Sequence, residues 1–502
     1  MAGPFSTAID LESFKGKIPV DTRLFIGGKF VDSARRETIN LHNPCQGSFI
    51  TKASVATKED VDAAVDAAQD ALKRTWGTNV SAPARAKLLS KLADLVESHN
   101  DELAALEALN SGRNFLQARG HDIPDVAATL RYYAGWADKH HGQTMETEDG
   151  RLAYTRYEPI GVCGIIVPWN FPLVIAVWKI APALATGNCV IMKPSELTPL
   201  TALKFAGLVK QAGFPDGAFN VVPGYGATAG QALTEHMRVG KISFTGSTAT
   251  GRRVMEAAAR SNLKRVTLEL GGKGPAIVFD DADIPTVLPE IVASLFVHSG
   301  QMCVAGTRVY IQEGIYDTIV PLLVAAAKGF PLGDAFSTKA VAGPLISQTQ
   351  LDRVMGYIAS GRSSGATLLT GGARINRPGF FVQPTLFADV PSGALIATDE
   401  IFGPVGVVAK FRTEAEAVAR ANDSAYGLAA QVYTRDVERA VRVARLLEAG
   451  SAFVNMFPLL CPQVPFGGTK QSGFGRQLGA AALEEYTILK AVHIRIGGAP
   501  GA

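Results

Sequence analysis

IGVCGIIV (160–167), NCVIMK (188–193), FNVV (219–222), KISF (241–244) and RVTLEL (265–270) are five short runs rich in β-branched residues. Segments of helical character separate them, at 172–185, 198–211, 226–235 and 247–259. Strand and helix alternating in this way predict a parallel sheet with crossover helices. Ligands of such sheets sit beyond the carboxyl ends of the strands, so cofactor contacts are expected in the loops after the first four runs.

Outward from this stretch, PAIVF (275–279), TRVYIQ (307–312), GPVGVVAKF (403–411) and AAQVYT (429–434) follow Gly271-Gly272 and predict a second α/β domain of about 200 residues. On the N-terminal side, Thr57 stands three residues before Asp60 and precedes Val61, Val65, Ala68 and Leu72, the spacing of a capped amphipathic helix. A second helix opens at Ser81 and Pro83, with Leu88, Leu92 and Leu95 expected on one face. AVHIRI (491–496) reads as a strand, and Gly497–Ala502 are expected to fray.

Composition narrows the classes. The chain has 502 residues, 47% hydrophobic and 19% charged, which argues against long disordered tails or coiled-coil rods. A net charge of +3 gives no electrostatic footprint for nucleic acid. Five cysteines, at 45, 163, 189, 303 and 461, form no CxxC or Cys/His cluster, so neither a disulfide framework nor a metal site is expected. Asp10 and Glu12, without an apolar run, fit neither a secretory signal nor a transit peptide, and a cytoplasmic location is expected. The charge-free residues 160–178 are long enough to span a membrane. Gly161, Gly164, Pro168, Asn170 and Pro172 interrupt them, so a strand, a turn and a helix are expected instead.

Five constellations carry candidate chemistry. Gly224, Gly226 and Ala229 make a GxGxxA after a strand, but no acidic residue ends a strand about twenty residues on, as an ordinary ribose contact requires. FTGSTATG offers a rival phosphate turn, where Gly246 precedes a helix N-terminus, or else a plain tight turn. Lys193 and Glu196 leave a strand end three residues apart, placed either to grip a diol or to form a surface ion pair worth under about 1 kcal/mol. Cys303, flanked by glycines in SGQMCVAG, is either a nucleophile or a buried structural thiol. Glu269, inside an apolar strand, should have a raised pKa suited to a general base, since an unused charge there is costly. His298 lies five residues before Cys303, off its helical face, and is not expected to assist it.

The ordered strings VPWNFP (167–172), KPSELTP (193–199), FTGST (244–248), LELGGK (268–273), GQMC (300–303), EIFGPV (400–405) and PFGGTKQSGFGR (465–476) resemble the NAD(P)-dependent aldehyde dehydrogenase superfamily, from about residue 20 to 495. LRYYAGWADK (130–139) and ATGN (185–188) make the chain most similar to its broad-range tetrameric cytosolic and mitochondrial branch. The resemblance implies an α/β fold: a Rossmann-type dinucleotide domain (1–140 and 160–271), a catalytic α/β domain (272–471) and a small β oligomerisation element (141–159 and 485–497). It implies a homotetramer that oxidises a small aldehyde, with no nucleic-acid or membrane partner. Cys303 resembles the nucleophile that forms a thiohemiacetal and then a thioester. Asn170, with the Cys303 backbone N–H, resembles the oxyanion donor, and Glu269 the base that activates water. Lys193 and Glu196 look like the adenosine-ribose grip, Gly246 and Ser247 like the pyrophosphate turn, Glu400 and Phe402 like the nicotinamide-ribose clamp, and Gly226 like a neighbour of the adenine. Ile166, Pro168, Trp169, Phe244 and Gly271 complete the implied cofactor site. Glu196 would repel a 2′-phosphate, which favours NAD over NADP.

Three positions depart from the branch. Gln477 replaces the usual glutamate and cannot titrate, which puts in doubt a proton route from Glu269 through it. Gly274 replaces a small polar residue, read as a minor backbone change. The loop at 455–466 is unusually rich in proline and leucine, and it contains Cys461. Phe171, Trp178, Met302, Val304, Leu460 and Phe466 match tunnel positions and are all apolar. With no arginine or lysine in that loop to pair a substrate carboxylate, medium-chain aliphatic or aromatic aldehydes are expected. The alternatives are an amino- or betaine-aldehyde dehydrogenase, because Trp178 can face a cation, or a catalytically silent relative.

Overall fold

The structure is a computed structural model that describes residues 2–148 and 150–496. The expected fraying of Gly497–Ala502, and the expected boundary at 497, lie outside the described residues.

All five runs become strands of one eight-stranded sheet: Val162–Ile166, Cys189–Lys193, Phe219–Val221, Lys241–Thr245 and Arg265–Glu269. They are mutually parallel. Leu24–Ile26 and Lys29–Val31 continue one edge antiparallel, and Gly473–Phe474 closes the other. In space, Val162–Ile166 lies between Cys189–Lys193 and Lys241–Thr245. The chain therefore winds outward one way for three strands and then the other way for two. The reversal opens a crevice at the carboxyl ends of Val162–Ile166 and Lys241–Thr245, where Ile166 stands opposite Phe244.

Every residue of Val162–Ile166 and Cys189–Lys193 is buried, as expected for parallel strands covered on both faces. Cys163 and Cys189 lie in these two strands. Helices Pro172–Ala185, Leu200–Ala212 and Thr248–Arg260 provide crossovers near the expected positions. The segment expected at 226–235 begins as a wide helical turn, Gly226–Gly230, before Gln231–Glu235. No helix among the described residues is long and apolar enough to cross a membrane.

The capping box at Thr57 forms at the head of Lys58–Arg74, with both reciprocal hydrogen bonds in place. The next helix, Ala82–Ser98, turns Leu88, Leu92 and Leu95 onto the core as expected, with the deepest burial shifted to one side of that face. Its buried stripe is Leu89, Leu92, Ala93 and Val96, while Leu88 and Leu95 are half-buried. The helix packs against both Ile123–Trp136 and Leu200–Ala212, which widens and turns the stripe.

The second sheet runs Thr367–Thr370, Thr385–Ala388, Val405–Phe411, Arg308–Gln312, Pro275–Val278, Ala429–Tyr433, Ser451–Val454, and only its first strand is antiparallel. The two sheets meet at Ser472, whose Oγ donates to the Gly271 carbonyl (2.6 Å) and accepts from Gly427 N–H (3.0 Å), just before the second-sheet strand Ala429–Tyr433, while Leu270 N–H donates to its carbonyl (2.9 Å). Thr144–Met145, Leu152–Pro159 and Thr487–Ile494 form a separate antiparallel three-stranded sheet that contains much of AVHIRI. An N-terminal hairpin, Pro4–Asp10 with Lys15–Asp21, has no counterpart in the sequence reading.

Candidate active site

Cys303 follows the helix Ile284–Phe296 through a turn in which His298 (φ 53°), Ser299 (φ 54°) and Gly300 (φ 69°) are all left-handed. Two consecutive non-glycine residues in that region are held only when their surroundings over-determine them. Here Ser299 Oγ donates to the Gly343 carbonyl (2.6 Å), and Gln301 Nε2 donates to the His298 carbonyl (2.9 Å). A Cβ on Gly300 would collide with the Gly403 carbonyl, and one on Gly272 with the Cys303 carbonyl. Thus GQMC, EIFGPV and LELGGK, far apart in sequence, meet at contacts that only glycine permits.

Three further groups gather around this turn. Asn170 is buried; its Nδ2 donates to the Gln301 carbonyl (3.0 Å), and its Oδ1 has no partner among the described residues. Glu269 ends its strand at 4% exposure with Oε2 unpartnered. Burial pushes its carboxyl up to about 8, against the pull of Lys179 and Arg476. Lys179, at 0% exposure, has an unpartnered Nζ, and burial pushes it down to about 7 while Glu269 and Cys303 pull it back up. Desolvation thus drives both members of this buried pair toward their neutral forms. The Cys303 thiol is likewise pushed up to about 12, by burial first and then by Glu400 and Glu269.

Sequence reasoning missed Lys179. Its signal was present, because the charge-free stretch from 160 ends at 178 only because a lysine follows. His298 is buried with both ring nitrogens unpartnered among the described residues, its ring 5.2 Å from that of Phe171. Burial pushes it down to about 3, so it stays neutral and offers no proton to exchange near pH 7.

The departures from the branch also take shape. Gln477 exchanges backbone hydrogen bonds with Phe466, both at 2.7 Å, and its Nε2 lies 3.5 Å from Thr245 Oγ1. Gly274 is more than a minor change, and here the expectation is corrected: a Cβ would sit 2.8 Å from the Ala305 carbonyl and 3.0 Å from that of Ala429. The carbonyls that crowd this strand start would have to move for any side chain.

A cavity of about 700 Å³ opens at the crevice, and Ile166, Pro168, Trp169, Lys193, Glu196, Gly226, Phe244, Gly246 and Ser247 line it. Lys193, buried, donates to the Pro194 carbonyl (3.0 Å) and to Glu196 Oε2 (3.3 Å). Ser247 caps the helix Thr248–Arg260, whose N-terminus faces the cavity. No protein contact requires glycine at 226, since a Cβ there would meet nothing within 4 Å. The remaining three implied cofactor residues, Gly271, Glu400 and Phe402, are not among that lining. Glu400 Oε1 accepts from Gly272 N–H (2.9 Å), its Oε2 crowds Gly271, and Phe402 (φ 59°) sets its ring 5.3 Å edge-on from Trp169. A buried ammonium held by a carboxylate, a helix N-terminus and an apolar wall suit a dinucleotide.

All six residues read as tunnel, Phe171, Trp178, Met302, Val304, Leu460 and Phe466, belong to one apolar cluster that includes Cys303. Phe453 and Phe457 join it. One polar group at its margin was not foreseen: Asp125, on the helix Ile123–Trp136, accepts a 2.8 Å hydrogen bond from Trp178 Nε1.

A doubly wound sheet with a cavity at its point of reversal, joined to a second sheet with a thiol at the junction, is an arrangement suited to an α/β oxidoreductase. The family model "Aldehyde dehydrogenase family" matches residues 30–492. An aldehyde dehydrogenase of Agaricus bisporus is 50% identical over 496 residues, 99% of either chain. The human mitochondrial aldehyde dehydrogenase is 48% identical over 94% of this chain and 92% of its own. The solved NAD+ complex of a Bacillus cereus aldehyde dehydrogenase superposes with a TM-score of 0.93 at 44% identity, covering 95% of this chain and 97% of that one. The chain belongs to the aldehyde dehydrogenase family and is an enzyme of aldehyde oxidation.

Proposed function

We propose that the enzyme uses NAD to oxidise medium-chain aliphatic or aromatic aldehydes to carboxylic acids through a covalent intermediate on Cys303. NAD, held in the cleft by Lys193, Glu196, Gly246 and Ser247, would supply a two-electron acceptor and a positive charge. The Cys303 thiolate adds to the aldehyde carbon, and the oxygen that becomes negative is held by Asn170 Nδ2 and the Cys303 backbone N–H. Collapse of that oxyanion expels the hydrogen with its electron pair and leaves a thioester. Glu269 then takes a proton from water, whose oxygen attacks the thioester carbonyl and releases the acid and the thiol. Lys179 is the titratable neighbour of Glu269, because Gln477 carries no proton to exchange.

The single observation that carries this reading is Glu269: a fully buried, half-unpartnered carboxyl electrostatically coupled to Cys303 has no structural purpose. Lys193 and Glu196 support NAD, since Glu196 accepts from ribose hydroxyls and repels a 2′-phosphate. The apolar cluster supports neutral substrates over semialdehyde acids. Steady-state kinetics with hexanal, benzaldehyde and succinate semialdehyde test this, and a preference for the last would refute it. The three-stranded sheet, with Ile488, Leu489 and Ile494 exposed along Thr487–Ile494, supports the intersubunit element of a homotetramer, testable by light scattering.

A further inference from the structure

Two strands of the first sheet, Lys241–Thr245 and Arg265–Glu269, depart from the pattern of their neighbours. Parallel strands covered on both faces are apolar on both, and Ile242, Phe244, Val266 and Leu268 fill one face of this pair as expected. The other face is polar throughout. In register, Lys241 stands opposite Arg265, Ser243 opposite Thr267 and Thr245 opposite Glu269. Four of the six, Lys241, Ser243, Thr267 and Glu269, are buried. A buried polar seam therefore runs from Glu269 down the length of both strands.

The middle of the seam is hydrogen-bonded, and its ends hold orphaned charges. Thr267 Oγ1 donates to Ser243 Oγ (3.2 Å), and the fully buried Tyr486 side chain reaches Ser243 as well. At the lower end Lys241 Nζ lies 3.8 Å from Glu485 Oε2 and 5.1 Å from the centre of the Tyr486 ring, with no hydrogen-bond partner among the described residues. At the upper end Glu269 Oε2 is equally unpartnered, and Gln477, 3.5 Å from Thr245 Oγ1, brings no titratable group. Lys179 Nζ, from the helix Pro172–Ala185, is unpartnered too and is electrostatically coupled to both Glu269 and Lys241. Buried polar atoms of this kind are met by ordered water. Glu485 is where the seam reaches the surface: its side chain is 30% exposed, and its Oε1 accepts from Arg476 N–H (3.2 Å). A Cβ on Gly475 would sit 2.6 Å from Thr267 Cγ2 and 3.0 Å from Glu485 Oε1, so glycine there lets the carboxylate approach the middle of the seam. The remaining charged or titratable groups that face it are otherwise engaged. Arg265 donates to the Thr487 carbonyl (2.5 Å), and burial pushes the Cys163 thiol and the Tyr133 hydroxyl up and so keeps both neutral.

We propose that Glu485 is the proton outlet of the active site, a residue outside the reacting centre that returns Glu269 to its carboxylate between turnovers. Oxidation of an aldehyde with NAD and water yields the acid, NADH and one proton. One O–H bond of water breaks as its oxygen joins the acyl carbon, and the proton goes to Glu269. Water held along Ser243 and Thr267 then passes it to the Glu485 carboxylate, which releases it to solvent. No oxidant or reductant beyond NAD is needed. This deepens the proposed function and rests on Glu269 as its base.

The test uses the intact enzyme with NAD and benzaldehyde. Glu485→Gln is expected to keep the size and rate of the NADH burst while steady-state turnover falls by about 10², the lower end of what a positioned proton-transfer group contributes. Added imidazole, a small diffusible proton acceptor, should raise the variant's turnover in proportion to its concentration and leave the wild type unchanged. Glu485→Asp should recover part of the loss. Thr267→Val keeps the shape and interrupts the seam midway, so it should also pair an intact burst with slowed turnover. Wild-type turnover in Glu485→Gln overturns the proposal. So does a loss that neither imidazole nor aspartate repairs, or one that falls on the burst and the thermal melt together, as a purely structural role would produce. The underlying reading fails separately, through unchanged turnover in Glu269→Gln.

Discussion

Replacing Glu269 with Gln removes one of the two buried acids coupled to Cys303 while keeping its shape. With the carboxyl pushed up to about 8, only about a tenth of it is ionised at pH 7. If it is the base for thioester hydrolysis, wild-type turnover should climb roughly tenfold per pH unit below pH 8 and level above it. In Glu269→Gln that climb should vanish. Turnover at pH 8 should fall by about 10² to 10⁴, the usual worth of a general base, while the first equivalent of NADH still appears as a burst. Stability provides the folding control, and its sign is fixed by the raised pKa. The folded carboxyl binds its proton more tightly than the unfolded one at about 4.5, so the stability it contributes is fully present below pH 4.5 and is lost as pH rises through about 8. The variant has no such loss and gains at most about 5 kcal/mol relative to wild type at pH 8 and above. Stopped-flow bursts, steady-state pH profiles and thermal melts at pH 5 and 8 read these separately. A variant that melts no lower than wild type yet keeps full turnover and the same pH climb refutes the assignment.

Asn170→Ala removes the side-chain oxyanion donor and should lower kcat/KM by about 10² to 10³ with little change in cofactor affinity, measured by steady-state kinetics and NADH titration. Lys179→Met deletes the stronger of the two cations that hold the Glu269 carboxyl down, so the pH at which turnover levels off should rise above 8; an unchanged levelling point denies the coupling. The same variant should melt higher at pH 7 than wild type, because a lysine pushed down to about 7 costs stability at any pH below its unfolded value. Glu196→Gln leaves Lys193 without its carboxylate partner and should improve kcat/KM with NADP relative to NAD by about tenfold; an unchanged ratio would show that the discrimination lies elsewhere.

The parallel sheet was legible in the sequence from five β-branched runs. Glu269 stands out as an acid in an apolar strand, whereas Cys303, read alone, is equally open to a structural role until the family resemblance singles it out. Groups whose meaning depends on distant partners were not legible. Lys179 reads as one more residue of a helix until the fold seals it beside Glu269. Asp125 reads as an ordinary first-turn acid, since such residues favour helix starts, until Trp178 arrives from the neighbouring helix. Gly274 looked minor because nothing local shows the two carbonyls, from residues 305 and 429, that close over it.

Burial moves Cys303, Glu269 and Lys179 toward their neutral forms. Cys303, Glu269 and Glu400 are all pushed upward by desolvation, and Lys179 and Lys273 are both pushed down to about 7, so near neutrality the junction between the two sheets favours proton-bearing acids and amines that readily lose theirs. In so dry a place one added positive charge acts on every acid at once, lowering each in proportion to its nearness. Glu400 and Cys303 are linked through one residue, because Glu400 accepts from Gly272 N–H and Gly272 in turn lies against the Cys303 carbonyl. A Cβ at 272 would meet the Cys303 carbonyl and one at 271 the Glu400 carboxylate, so the glycine pair after Glu269 is required by close approach to both of these residues.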